Sequence, residues 1–162
     1  MKYIITESQY KLLTEKKREI LQLPGIEYFG GWDAMRRFLE SRGNPLYSVR
    51  GDLDLYDTPI SSLGNLVSVG GSLYLQGTPI SSIGKLTSVG DNLDLRGTPV
   101  SSLGKLTSVG GGLYLIGTAI SSLGNLTSVG GSLDLRDTPL SRNMSEEEIR
   151  KQVEIGDRVY LL

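Results

Sequence analysis

A chain of 162 residues is long enough for one domain with a continuous core and too short for two substantial ones. It contains no cysteine and no histidine, which removes disulfides, thiolate nucleophiles, Cys/His zinc sites and histidine-based triads. With 17 basic against 18 acidic side chains, the net charge of −1 supplies no overall field toward nucleic acid or an anionic membrane.

The opening, Met1 to Glu7, turns polar after a short apolar stretch, so no signal peptide is expected. No apolar run approaches the roughly 20 residues that a membrane span needs. Together with the lack of cysteine, this predicts a soluble protein in a reduced, cytoplasmic environment. Residues 6–22 read as an amphipathic helix opened by Thr6, with Gln9 in the capping-box position. A second helix is expected at about Trp32–Ser41, ending at Arg42-Gly43. Residues 1–44 are thus an N-terminal helical cap, expected to cover the open edge of the first strand.

The centre of the chain is a repeat, and a fixed period outranks local signals. Five segments begin at Leu53, Leu73, Leu93, Leu113 and Leu133, each 20 residues after the last. Their common text is L-x-L-x-x-T-P-I-S-S-L-G-x-L-x-S-V-G-x-x. Leu93 and Leu95 are two apart, the period of a short strand with both side chains on one face. Val100, Leu103, Leu106 and Val109 follow in steps of three, which suits extended or 3₁₀-like turns better than an α-helix. Each turn is therefore one strand and a tightly wound return, and no turn folds alone. Residues 45–52 match the tail of a turn, with Leu46 and Val49 in register with Leu66 and Val69. The solenoid spans 45–140. In residues 141–162, Ser145 caps a helix reaching about Glu154, with Glu146, Glu147 and Glu148 in the first turn where the dipole favours them. Ile155 to Leu161 then repeats the tail-plus-strand pattern, with Val159 and Leu161 in the paired Leu slots of a sixth strand.

The phrase L-T-S-V-G-G-G-L-Y-L-I-G-T-A-I-S-S-L at 106–123 resembles leucine-rich repeats, with Thr58, Thr78, Thr98, Thr118 and Thr138 replacing the family's usual Asn. Its wording is similar to the receptor L-domain variant, and the resemblance covers about residues 45–162. It implies a right-handed leucine-rich-repeat-like stack of about six short parallel strands with 20-residue turns and helical caps at both ends, an α+β repeat solenoid. It also implies that the strand face binds proteins, peptides or glycans. The missing leader and cysteines argue against a receptor ectodomain. Separately, Met1–Leu13 resembles the openings of proteins encoded by large tailed phages. The threonine row reads as buried hydroxyls that bond backbone groups of neighbouring turns in place of an Asn ladder.

With the paired leucines inward, the outward positions follow by alternation. The central column reads Asp54, Tyr74, Asp94, Tyr114, Asp134, Tyr160, and one flanking column reads Tyr56, Gln76, Arg96, Ile116, Arg136, Leu162. Two accounts fit. In the first, acid and aromatic alternate because this spacing separates like charges and packs well, with Arg96 and Arg136 neutralising the acids. In the second, the tyrosines and Ile116 anchor a partner, and Asp54, Asp94, Asp134, Arg96 and Arg136 set its register. The leading expectation is a non-catalytic protein-interaction scaffold that takes a protein or peptide through this face. A carbohydrate-binding module is an alternative, since aromatic ladders stack on sugars. Another is a self-assembling component, a homodimer joined through the terminal edge Val159, Tyr160, Leu161, Leu162, which lacks the Lys or Pro that discourages pairing. The Ser61-Ser62, Ser81-Ser82, Ser101-Ser102 and Ser121-Ser122 pairs read as polar residues keeping tight turns wet. A shallow strand face offers no pocket to shift a carboxylate's pKa, so no enzyme is expected. No metal, cofactor, nucleic acid or membrane partner is expected either.

Overall fold

The computed structural model describes residues 19–162, together with Ser8. Among these residues thirteen short strands, numbered in chain order, form two entirely parallel sheets. Strands β1 (Leu21–Leu23), β2 (Tyr47–Val49), β4 (Leu66–Val69), β6 (Ser88–Val89), β8 (Ser108–Val109), β10 (Ser128–Val129) and β12 (Glu154–Ile155) make a seven-stranded sheet in that order. Strands β3 (Leu53–Asp54), β5 (Leu73–Tyr74), β7 (Leu93–Asp94), β9 (Leu113–Tyr114), β11 (Leu133–Asp134) and β13 (Val159–Tyr160) make a six-stranded sheet. Within the repeats each residue faces its counterpart 20 positions on, as Leu73 faces Leu93 and Leu93 faces Leu113. The chain is a parallel β-solenoid with 20-residue turns and short helices at its ends.

The six-stranded sheet is the one that the paired leucines predict. The seven-stranded sheet is not in that expectation. The last step of each return, Ser-Val, is extended enough for its backbone to pair with the same step of the next turn, as in Val89 facing Val109. Each turn therefore has two strands joined by a glycine-rich corner, not one strand and an unpaired return.

Burial follows the apolar rows. Leu53, Leu73, Leu93, Leu113 and Leu133 are fully inaccessible, and Val69, Val89, Val109 and Val129 line the same core from the second sheet. Thr78, Thr98, Thr118 and Thr138 are buried as expected and Thr58 is half-buried, but the row's partners differ from the expectation. The Oγ1 of Thr78, Thr98 and Thr118 donates at 2.7 Å to the carbonyl of Leu75, Leu95 and Leu115, three residues back in the same turn. The local turn brings that carbonyl within reach of both the threonine amide and its hydroxyl, so the row closes each turn on itself and does not bridge turns. The second serine of each Ser-Ser pair has a similar task. Ser82, Ser102 and Ser122 Oγ accept from Gly84, Gly104 and Gly124 N–H at 3.1 Å, where glycines at φ of +60°, +55° and +58° let the chain turn back.

The ends differ from the repeats. Helix α1 (Trp32–Ser41) forms where the sequence places it and buries Met35 and Leu39. The expected helix over 6–22 lies mostly outside the described residues. Its described end is a strand, because Leu21 and Leu23 flank Gln22 at the period of a strand and pair with β2. β1 is thus the outer strand of the seven-stranded sheet at this end. The expected match of Leu46 with Leu66 is also corrected. Tyr47 faces Leu66 across a register irregularity, its buried hydroxyl donates to Leu63 O at 2.7 Å, and burial pushes its pKa up. Helix α2 (Glu146–Gln152) stops two residues short of the expected end, so Glu154 starts β12. Ser145 and Glu148 form a capping box. The Ser145 amide and hydroxyl hold the Glu148 carboxyl below the usual range.

One glycine column sets how closely the turns stack. A Cβ on Gly90, Gly110 or Gly130 would lie 2.0 Å from the carbonyl oxygen of the glycine one turn earlier, inside any real contact distance. Gly110→Ala is expected to destabilise the fold by about 3 kcal/mol, the upper end of overpacking costs. Ser108→Ala, on the same sheet but half-exposed, should stay within about 0.5 kcal/mol. Urea midpoints of the two variants against the native chain check this.

Candidate functional site

The six-stranded sheet carries the central column at successive rungs, as in Asp54 beside Tyr74, Asp94 beside Tyr114 and Asp134 beside Tyr160. Adjacent rungs are about 4.8 Å apart, so successive tyrosines of the central column stand about 9–10 Å apart. Tyr74 and Tyr114 are half-buried, and Tyr160 on the last rung is exposed. Their neighbours are Asp54 on the first rung, exposed, and Asp94 and Asp134 on inner rungs, only 3% and 4% exposed.

The inner acids are buried because each is locked to the arginine two residues on. Arg96 Nε donates to Asp94 Oδ1 and Oδ2 at 2.9 and 3.0 Å, and its Nη2 closes the fork on Oδ2. Arg136 repeats this on Asp134, with Nε to Oδ1 at 2.9 Å and Nη2 to Oδ2 at 2.6 Å. Each guanidinium then lies over the tyrosine of the next rung, Arg96 at 5.7 Å from the Tyr114 ring centre and Arg136 at 5.6 Å from that of Tyr160. The hydrogen bonds to the aspartates hold both guanidinium pKa values above their ordinary level. Acid and aromatic alternate because one structural unit spans two rungs, an Asp-x-Arg followed by a Tyr. Asp94 and Asp134 are therefore internal partners of their arginines and do not stand free on the surface. Ile116 is half-buried between the Arg96 and Arg136 rungs.

The first unit departs from this pattern. Tyr56 stands where the arginine would be, 54% exposed, and the neighbouring Asp57 raises the pKa of its hydroxyl. The terminal edge residues are where the sequence places them. Val159 and Tyr160 pair with Leu133 and Asp134, and β13 is the outer strand of its sheet. Val159 and Leu161 are partly exposed and Leu162 is fully so.

A second surface escaped the sequence reading. Ser68, Ser88, Ser108, Ser128 and Glu154, with the column of close-approach glycines, floor a shallow trough of about 690 Å³ along the seven-stranded sheet. The signal for it was the invariant S-V-G step, which is legible as a surface only once that step is known to be a strand. Among the described residues no buried side-chain polar atom lacks a partner. No described helix is long and apolar enough to cross a membrane.

Comparison with known proteins returns no counterpart, since no protein-family model, no curated protein and no solved structure matches the chain.

Arg96→Ala is expected to cost about 1–3 kcal/mol, because it strips a buried carboxylate of its partner. Adding Asp94→Asn should return part of that loss, so the double variant lies below the sum of the singles. The exposed Arg37→Ala should be near neutral. Denaturant midpoints for the four variants and the native chain test the coupling.

Proposed function

We propose that the chain is a non-catalytic interaction scaffold that binds a protein or peptide partner through the face of the six-stranded sheet. The observation that carries this reading is the row Tyr74, Tyr114 and Tyr160, presented on a backbone held by parallel hydrogen-bonded rungs. Tyrosine offers a large, stiff, amphipathic contact area at low entropic cost, and a pre-organised backbone lowers that cost further. The two inner Asp–Arg pairs contribute by cancelling charge that a partner would otherwise have to desolvate. Ile116 adds an aliphatic contact beside Tyr114. The leucine-rich-repeat resemblance of residues 45–162 supports the same reading, because in that family the strand face is the binding surface. The setting proposed is a reduced cytoplasm, in keeping with a sequence that has no cysteine.

The test is partner capture from native lysate by the full chain and by a Tyr74→Ser/Tyr114→Ser variant, with circular dichroism to confirm that both are folded. A partner retained by the native chain and lost by the variant is the expected result. Equal retention contradicts the reading and moves the contact to the helical ends or to the open edge of β13. Capture by neither, with a mass that rises with concentration, favours self-association through Val159–Leu162.

A further inference from the structure

Three rungs of the six-stranded sheet carry an acid in the central column, but only two carry the arginine that neutralises it. From this we infer that the first rung is a receptor for an arginine side chain of the partner, formed by the Asp54 carboxylate and the Tyr74 ring with Tyr56 as a flanking wall. The inference rests on the strand-face reading and deepens it by naming the chemistry of the partner.

The molecule supplies its own template. On the inner rungs the amide of the residue two positions on fixes the aspartate, with Arg96 N donating to Asp94 Oδ1 at 3.1 Å and Arg136 N to Asp134 Oδ1 at 3.2 Å. Tyr56 N donates to Asp54 Oδ1 at the same 3.1 Å, so the first carboxylate is aimed as the other two are. The ring on the next rung is also in place, because Asp54 pairs with Tyr74 in the register that sets Asp94 beside Tyr114 and Asp134 beside Tyr160. What differs is the guanidinium. Tyr56 replaces it and stands exposed at the surface. Among the described residues no basic side chain pairs with Asp54.

Exposure and charge agree with an external ligand. Asp54 is exposed while its two counterparts are buried, and Asp52 and Asp57 beside it are exposed as well. Among the described residues no group of three or more acids converges to hold a metal ion. Arginine fits better than lysine. Its planar fork meets a carboxylate with two parallel bonds while its charge stands over an aromatic ring, and Arg96 and Arg136 do both, with the guanidinium carbon 5.7 and 5.6 Å from the ring centre. An ammonium is a point charge that makes neither contact as well.

The test is an NMR titration of the full chain with the peptide acetyl-Gly-Arg-Gly-amide, and with its lysine counterpart as control. The arginine peptide should produce saturable shifts centred on the Tyr74 and Tyr56 rings. The lysine peptide should bind about two- to fivefold more weakly, the share owed to ring stacking at an exposed site. Asp54→Asn should remove the shifts. So should Tyr56→Arg, which fills the receptor from within by copying the Arg96 arrangement and leaves the amide spectrum of the distant rungs unchanged. Shifts that spread evenly over the exposed acids, match for the two peptides or survive Asp54→Asn overturn the proposal. Partner capture with a Tyr114→Ser variant, which leaves the receptor residues intact, decides the strand-face reading separately, so a failure of one idea is distinguishable from a failure of the other.

Discussion

The structure depends on the parallel backbone ladder that ties each turn to the next at a fixed separation of 20 residues. Leu73, Leu93 and Leu113 each donate an amide to the following turn, to Asn92, Gly112 and Ser132 carbonyls, at 2.8–2.9 Å. Once that register is set, every column of the molecule repeats at the rung spacing. Leucines stack on leucines and close the core, threonines fall where each can cap its own turn, and the corner glycines meet carbonyl oxygens. A side chain at any column is judged against its neighbours one rung above and below, so a residue's environment is written in the chain 20 positions away. Changing the number of residues in any turn would move every later column off its row.

That constraint explains the charged face. In a stacked parallel sheet, identical residues on successive rungs come within about 5 Å, which is destabilising for like charges. Placing tyrosine on alternate rungs separates the acids, and an arginine two residues along the strand from each inner acid then satisfies it at short range. The arginine in turn rests on the interposed ring. The 20-residue fold repeat thereby carries a 40-residue chemical repeat on this one face. Asp54–Tyr56 breaks it at the first unit, and a break in an otherwise kept rule is where function is sought.

Most of the architecture was legible in the sequence because repetition gives five readings of the same signal. The inward leucines, the outward columns, helix α1 and the final strand all follow from period and capping. What was not legible was decided by contacts between turns. The Ser-Val step is too short to announce a strand, and it becomes one only by pairing with its copies. Tyr47 displaced Leu46 because its ring reaches the core and its hydroxyl finds the Leu63 carbonyl, which no spacing rule encodes. Leu21 and Gln22 fell at the end of the expected helix and form a strand because β2 offers them a partner. On the face, the columns were readable but not the ion pairing. The i, i+2 offset of Asp94 and Arg96 puts both on the same side of the strand, while the placement of the Arg96 guanidinium over Tyr114 depends on the next rung.

The most direct test of this account is hydrogen exchange at the arginine Nε–H groups, resolved by nitrogen-15 NMR at neutral pH. If Asp94 and Asp134 are locked internal partners, the Nε–H of Arg96 and Arg136 should exchange clearly more slowly than that of Arg37, which is exposed on α1. Equal exchange at all three would mean that the pairs open freely to water. The alternation of acid and aromatic would then need another cause, and Asp54 would no longer be an exception to anything.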